Sequence, residues 1–173
     1  MSGAPSHTLT LVLADEAATV RLARALAPLL KAGDLVTLAG DLGAGKTALA
    51  RALVRALSPR GEREEVPSPT FTLAQSYETP RLVLWHFDLY RLSGPDEVAE
   101  LGFDDALQTG AALVEWPDRL GYLLPSDRLD VVLEFGGQAE DARRAAITAH
   151  GDWGKRLAAL ERALKNTSGT ECK

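Results

Sequence analysis

The sequence predicts an α/β fold: a mixed central sheet, parallel at its core with antiparallel strands added, flanked by helices. Three observations predict it. Residues 34–39 form a short, mostly apolar run ended by Gly40, and a glycine-rich loop then leads into Lys46–Leu57, a stretch of Ala, Leu and Arg with no Gly or Pro inside. That succession reads as buried strand, loop and helix. Residues 111–114 are a second buried apolar run, closed by the carboxylate of Glu115. Two further strand-like runs are joined by only Glu78-Thr79-Pro80, a connection short enough for a hairpin, which a purely parallel sheet does not contain.

The remaining elements follow in order. Residues 8–13 read as a first strand, and Asp15 or Glu16 opens a helix that reaches Leu30, with Pro28 near its end. In the helix from Lys46, Arg51 and Arg55 lie four apart on one face, expected to point to solvent. Residues 58–69 carry Pro59, Pro67, Pro69, Gly61 and several charges, and read as a loop. The hairpin strands cover 71–77 and 81–89. Ser93-Gly94-Pro95-Asp96 is a turn and helix start, and 97–107 holds one or two short helices broken at Gly102. Strands at 129–135 and 145–149 are expected to pair across Gly136-Gly137, and an amphipathic helix over 153–164 is expected to cover a sheet face. Residues 1–165 are expected to form one domain, with 166–173 a polar, disordered tail.

The loop carries the chemistry. Gly40-Asp41-Leu42-Gly43-Ala44-Gly45-Lys46-Thr47 matches G-x-x-x-x-G-K-[ST] at every fixed position. Glycines let the backbone curl so that its N–H groups face phosphate oxygens. Lys46 brings a charge to the β- and γ-phosphates, the Thr47 hydroxyl can join a Mg²⁺ site, and the following helix adds the positive end of its dipole. Such a site needs a second acid, usually at the end of an apolar strand. Glu115 and Asp88 are the two candidates, each otherwise a surface acid opening a loop. From pattern alone Thr70, in Ser68-Pro69-Thr70-Phe71, is either a sensor of γ-phosphate or an ordinary strand start. Trp116 packs on a nucleotide or fills core. His86 reads as structural, because the 3 histidines lie on separate segments without ligand spacing.

Composition narrows the field. The chain has 173 residues, 46% hydrophobic and 25% charged, as in an ordinary globular protein with a real core. Its net charge of −5 does not favour non-specific nucleic-acid binding. The single cysteine, Cys172, excludes an internal disulfide, and no run approaches the ~18 apolar residues of a membrane helix. A cytoplasmic location is the expectation. Asn166 is the only asparagine, so the Asn-Lys-x-Asp guanine motif is absent, and a Ras-type GTPase is disfavoured.

Four motifs together carry a resemblance: the glycine loop, Ser68-Pro69-Thr70-Phe71-Thr72-Leu73, His86-Phe87-Asp88-Leu89-Tyr90-Arg91-Leu92 and Glu115-Trp116-Pro117. In order and spacing the chain resembles the TsaE (YjeE) family across about residues 8–160. The resemblance implies a P-loop NTPase fold and a bacterial ATPase of tRNA threonylcarbamoyladenosine (t⁶A37) biosynthesis. It implies ATP and Mg²⁺ as cofactors and the TsaD–TsaB pair as partners, with tRNA engaged only indirectly. It further implies that Thr47 and Glu115 hold the metal and that Asp41, Leu42, Gly43, Ala44, Gly45, Lys46 and Thr47 cradle phosphate. Asp88 and Thr70 join Lys46 and Glu115 in the chemistry, Trp116 lies at the nucleotide, and Glu16 lies near the adenine. The stretch Glu62-Arg63-Glu64-Glu65-Val66-Pro67 is more acidic than the family pattern. A small-molecule kinase and a nucleotide-gated module with little hydrolysis are the competing readings. Arg143-Arg144, an adjacent arginine pair ahead of a strand, makes a poor kinase lid.

Overall fold

The computed structural model describes residues 6–69 and 71–168. Its strands are β1 (His7–Leu13), β2 (Leu35–Ala39), β3 (Ala74–Glu78), β4 (Val83–Asp88), β5 (Gly110–Glu115), β6 (Arg128–Phe135) and β7 (Arg143–His150). They form one 7-stranded sheet in the order β1-β7-β6-β2-β5-β4-β3. The inner strands β6, β2, β5 and β4 run parallel, and the pairings β1–β7, β6–β7 and β3–β4 are antiparallel. This is the mixed sheet expected from the sequence. β5 is buried along its whole length, and its unbroken apolar run is what a strand covered on both faces requires.

Helices α1 (Glu16–Leu26), α2 (Lys46–Leu57) and α5 (Trp153–Ser168) cover one face, where Leu22, Leu26, Leu49, Leu53, Trp153 and Leu157 meet Val36, Leu38, Leu113 and Ile147. The short helices α3 (Pro95–Glu100) and α4 (Phe103–Thr109), with a 3₁₀ segment at Pro117–Leu123, cover part of the other face, packing Val98, Phe103 and Leu120 on Leu35, Phe87 and Val114. Asp15 caps α1 by accepting the Ala18 N–H at 2.8 Å. Ahead of Pro28 the α-helix gives way to a 3₁₀ turn, Ala27–Leu29, because proline has no N–H to donate to the preceding turn. Gly102, at φ 78°, makes the expected break between α3 and α4.

Three local expectations are corrected. The strand expected over 71–77 begins only at Ala74: Phe71 is exposed and Leu73 sits at φ 63°, outside any strand conformation. The arginine face of α2 does not point freely into water. Arg51 Nε donates to the Val66 carbonyl at 3.0 Å and Arg55 Nε to that of Glu64 at 3.4 Å, so both hold the 58–69 loop against the helix. Glu62 of that loop reaches Arg24 and Arg55, and Glu64 accepts from Ser58 Oγ at 2.6 Å, which gives the loop's acidity a local use. Finally, α5 continues past Asn166 to Ser168, so the start of the expected tail is helical. The i, i+4 pair Glu161–Lys165 at 2.9 Å supports this last turn. Residues 169–173, with Cys172, lie outside the described residues.

Candidate functional site

β2, β5 and β4 are parallel, so their C-terminal ends share one edge of the sheet, and α2 begins at the same edge. The Gly40–Gly45 loop makes the turn between β2 and α2. Gly40 has φ 144°, and a Cβ there would stand 2.3 Å from the Leu133 carbonyl oxygen, so only glycine lets the loop pass β6 this closely. Gly45, at φ 104°, reverses the backbone into the helix, whose first N–H groups have no intrahelical acceptor. The Ala44 N–H closes the loop on the Asp41 carbonyl at 3.0 Å.

Lys46 is buried, and its Nζ donates to the carbonyls of Gly40 at 2.5 Å and Asp41 at 2.8 Å. The same atom lies 4.3 Å from the centre of the Trp116 ring. Burial pushes the ammonium below its ordinary pKa and outweighs the opposing pull of Glu115, Asp88 and Asp41. Glu115 and Asp88 are the last residues of β5 and β4 and are direct partners in the parallel register, which sets two buried carboxylates side by side. Thr47 Oγ1 donates to Glu115 Oε1 at 2.7 Å, and His86 Nε2 lies 2.7 Å from Glu115 Oε2. Asp88 Oδ1 accepts the Tyr90 N–H at 3.1 Å. Trp116 then leaves the strand in the left-handed region (φ 61°), and its ring centre stands 4.8 Å from that of Tyr90.

A cavity of about 390 Å³ is bounded by Leu42, Gly43, Gly45, Lys46, Thr47, Asp88, Glu115 and Trp116, together with Ala48, Ser68, Tyr90 and Arg91. Eight of the sequence-derived candidates therefore share one hollow. Ala44 is buried beneath the loop, and Asp41 borders a neighbouring hollow with Val132 and Phe135 of β6. Glu16 lies apart from the main cavity. It lines a separate space of about 220 Å³ with Thr19, Arg51, Arg55 and Glu62, and Ala48 borders both. Thr70 lies outside the described residues, while its neighbour Ser68 is at the cavity wall.

The Thr47 hydroxyl and Glu115 carboxylate are adjacent hard oxygen donors of the kind Mg²⁺ takes. Among the described residues no group of three or more His, Cys, Asp or Glu could hold a metal. A set this sparse suits an ion that keeps water and phosphate oxygens as its other ligands. The sequence reading of His86 as structural does not foresee its contact with Glu115. The available signal was period two: His86 and Asp88 lie on one face of β4, beside the strand that ends in Glu115. Tyr90, which lines the cavity against the Trp116 ring, is likewise not singled out by the sequence.

A glycine loop bridging a parallel strand and a helix, with its lysine and threonine facing acids at the next strand ends, defines the class of P-loop nucleotide-binding α/β proteins. Within that class, the model of the family described as threonylcarbamoyl adenosine biosynthesis protein TsaE matches residues 13–145. The tRNA threonylcarbamoyladenosine biosynthesis protein TsaE of Rickettsia felis is 44% identical over 124 residues, covering 72% of this chain and 71% of the relative. The protein of the same name from Streptomyces coelicolor is 42% identical over 138 residues, covering 76% and 90%. The crystal structure of YdiB from Bacillus subtilis superposes with a TM-score of 0.71 at 29% identity, covering 95% of this chain and 98% of that one. The chain belongs to the TsaE family, which places it in tRNA threonylcarbamoyladenosine biosynthesis. Among the described residues no helix is long and apolar enough to cross a membrane.

Proposed function

We propose that this chain is the Mg²⁺-dependent ATP-binding and hydrolysing subunit of t⁶A37 formation, working with the TsaD–TsaB pair in the cytoplasm, and that it is not itself the threonylcarbamoyl transferase. One observation carries the reading: Thr47 and Glu115 are joined at 2.7 Å in the cavity that Lys46 and Asp88 also line. In the proposed roles the Gly43–Thr47 backbone holds the β- and γ-phosphates and Lys46 Nζ exchanges its loop carbonyls for phosphate oxygens. Trp116 bounds the nucleotide, and Thr47 with Glu115 holds Mg²⁺. Asp88, beside Glu115, positions the attacking water. When bound, Mg²⁺ neutralises charge on the transferring phosphoryl group, and the rest of the catalysis is positioning and electrostatics.

Arg91 is the arginine among the residues lining the cavity, and it is exposed, 5.1 Å from the Phe71 ring. Among the described residues no other arginine lines the cavity, and Arg143, at 3.3 Å from the Gly43 carbonyl, holds the outside of the loop, so turnover is expected to be slow alone and stimulated by TsaD–TsaB. The test is ATP turnover by the full chain, alone and with TsaD–TsaB, beside a multiple-turnover t⁶A assay on tRNA. Stimulation by the partners and dependence of t⁶A yield on this chain support the proposal. Unchanged turnover at every partner ratio, or full activity in both Lys46→Ala and Glu115→Ala, overturns it. Sustained t⁶A formation with a non-hydrolysable ATP analogue assigns the role to binding alone.

A further inference from the structure

The hydrogen-bond chain Thr47–Glu115–His86 extends one residue beyond the proposed metal ligands. His86 is fully buried on β4, with Nε2 at 2.7 Å from Glu115 Oε2. Its other nitrogen, Nδ1, is also buried and has no hydrogen-bond partner among the described residues. A proton on Nδ1 would be a buried donor without an acceptor, which folding disfavours. The ring's N–H therefore sits at Nε2 and points at the carboxylate. Among the described residues each Glu115 oxygen then has one side-chain partner. Oε2 is held by a fully buried ring, and Oε1 accepts from the Thr47 hydroxyl at the cavity. A lone carboxylate at a strand end could rotate and present either oxygen, or both. A carboxylate pinned at Oε2 presents only Oε1.

We propose that His86 is a positioning residue for the nucleotide-bound metal: it holds Glu115 by Oε2 so that Oε1 stays directed at Thr47 and the ion. The proposal rests on the reading of Thr47 and Glu115 as the metal-holding pair. His86 reaches the metal only through Glu115 and touches no reacting atom. Gln at position 86 keeps an amide donor at the reach of Nε2. Asn carries its donor nearer the backbone, at the position of Nδ1, and Leu has none.

The test is Mn²⁺ binding, counted by electron paramagnetic resonance, to the full chain loaded with a non-hydrolysable ATP analogue, beside dialysis of the same analogue in EDTA. His86→Leu and His86→Asn are expected to weaken Mn²⁺ binding by about tenfold or more, and His86→Gln to stay within about threefold of the parent. Metal-free binding of the analogue should be unchanged in all three. The Asn and Gln variants make the comparison without depending on the Leu variant's folding. Glu115→Gln separates the two levels of the argument. If it lowers Mn²⁺ affinity while His86→Asn and His86→Leu match the parent, the positioning role is overturned and the metal pair stands. If it matches the parent, the metal pair and the positioning role both fall. Loss of metal-free analogue binding together with Mn²⁺ binding in His86→Asn, or equal losses in Asn and Gln, would mark His86 as a packing residue and overturn the proposal.

Discussion

Lys46 is a buried cation whose satisfaction is only partial without a ligand. Two backbone carbonyls, the Trp116 ring and three carboxylates surround it, yet burial still lowers its pKa. The folded state therefore disfavours the charged form relative to the unfolded chain. Below its folded pKa this lysine costs stability. As pH rises from there towards the ordinary value of 10.5, the unfolded state holds the proton that the folded state has released, and the cost is relieved. Lys46→Met should consequently abolish ATP turnover while leaving the nucleotide-free protein at least as heat-stable as the parent near neutral pH. Its advantage should shrink as pH is raised towards 10, since only the parent gains from deprotonation. Melting curves of both proteins across that range check the sign. A nucleotide-free Lys46→Met protein that melts well below the parent at pH 7 would mean that the carbonyl bonds and the ring contact outweigh burial.

The elements that carry the site differ in how they are held. Glu115 and Asp88 end strands paired in parallel register, so the sheet itself sets their spacing. The 58–69 loop, which brings Ser68 to the cavity, is held instead by side chains from α2, chiefly Arg51 on the Val66 carbonyl at 3.0 Å. Arg51→Ala should cost about 1–2 kcal/mol, the worth of one charge-assisted bond at a half-buried site, and lower Tm by roughly 3–6 °C. Amide exchange over residues 64–68 should quicken, whereas exchange in β5 should not. Unchanged exchange in the loop would show that the clamp holds nothing. These contrasts also mark what the sequence could reveal. The glycine loop, the acid at the end of β5 and the hairpin were legible because local pattern and chemistry coincide there. The solvated face expected of Arg51 and Arg55 failed because side-chain spacing says which residues share a face, not what lies opposite. The strand expected from residue 71 failed because Phe71 and Leu73 have strand-like side chains, while the turn into β3 places Leu73 in the left-handed region. The contact of His86 with Glu115 was not legible for want of a register: it exists only once β4 lies beside β5.

In the sheet β2 lies between β5 and β6, and the chain leaves it through α2 for the far edge at β3 before returning to β5. That crossing keeps the space beyond the C-terminal ends of β2 and β5 clear, the place where open α/β sheets take their ligands. The clear edge gathers Lys46, Glu115 and Asp88 into one hollow, so the folded chain holds a desolvated cation and two adjacent carboxylates that the unfolded chain keeps apart in water. Phosphate oxygens would answer the first and a divalent cation the second, so ligand binding and folding should be linked through both. With ATP and Mg²⁺ at about a hundred times their Kd, linkage adds roughly 2.7 kcal/mol. For a chain of this size that raises Tm by about 5–10 °C. Removing Mg²⁺ with EDTA while keeping ATP should take away more than half of the rise, and the Glu115→Gln protein should show the small shift with or without the metal. Equal shifts with and without EDTA would remove Mg²⁺ from the site. No shift with ATP and Mg²⁺ together would remove the nucleotide as well, because a ligand that contacts these buried charges only in the folded state must stabilise it.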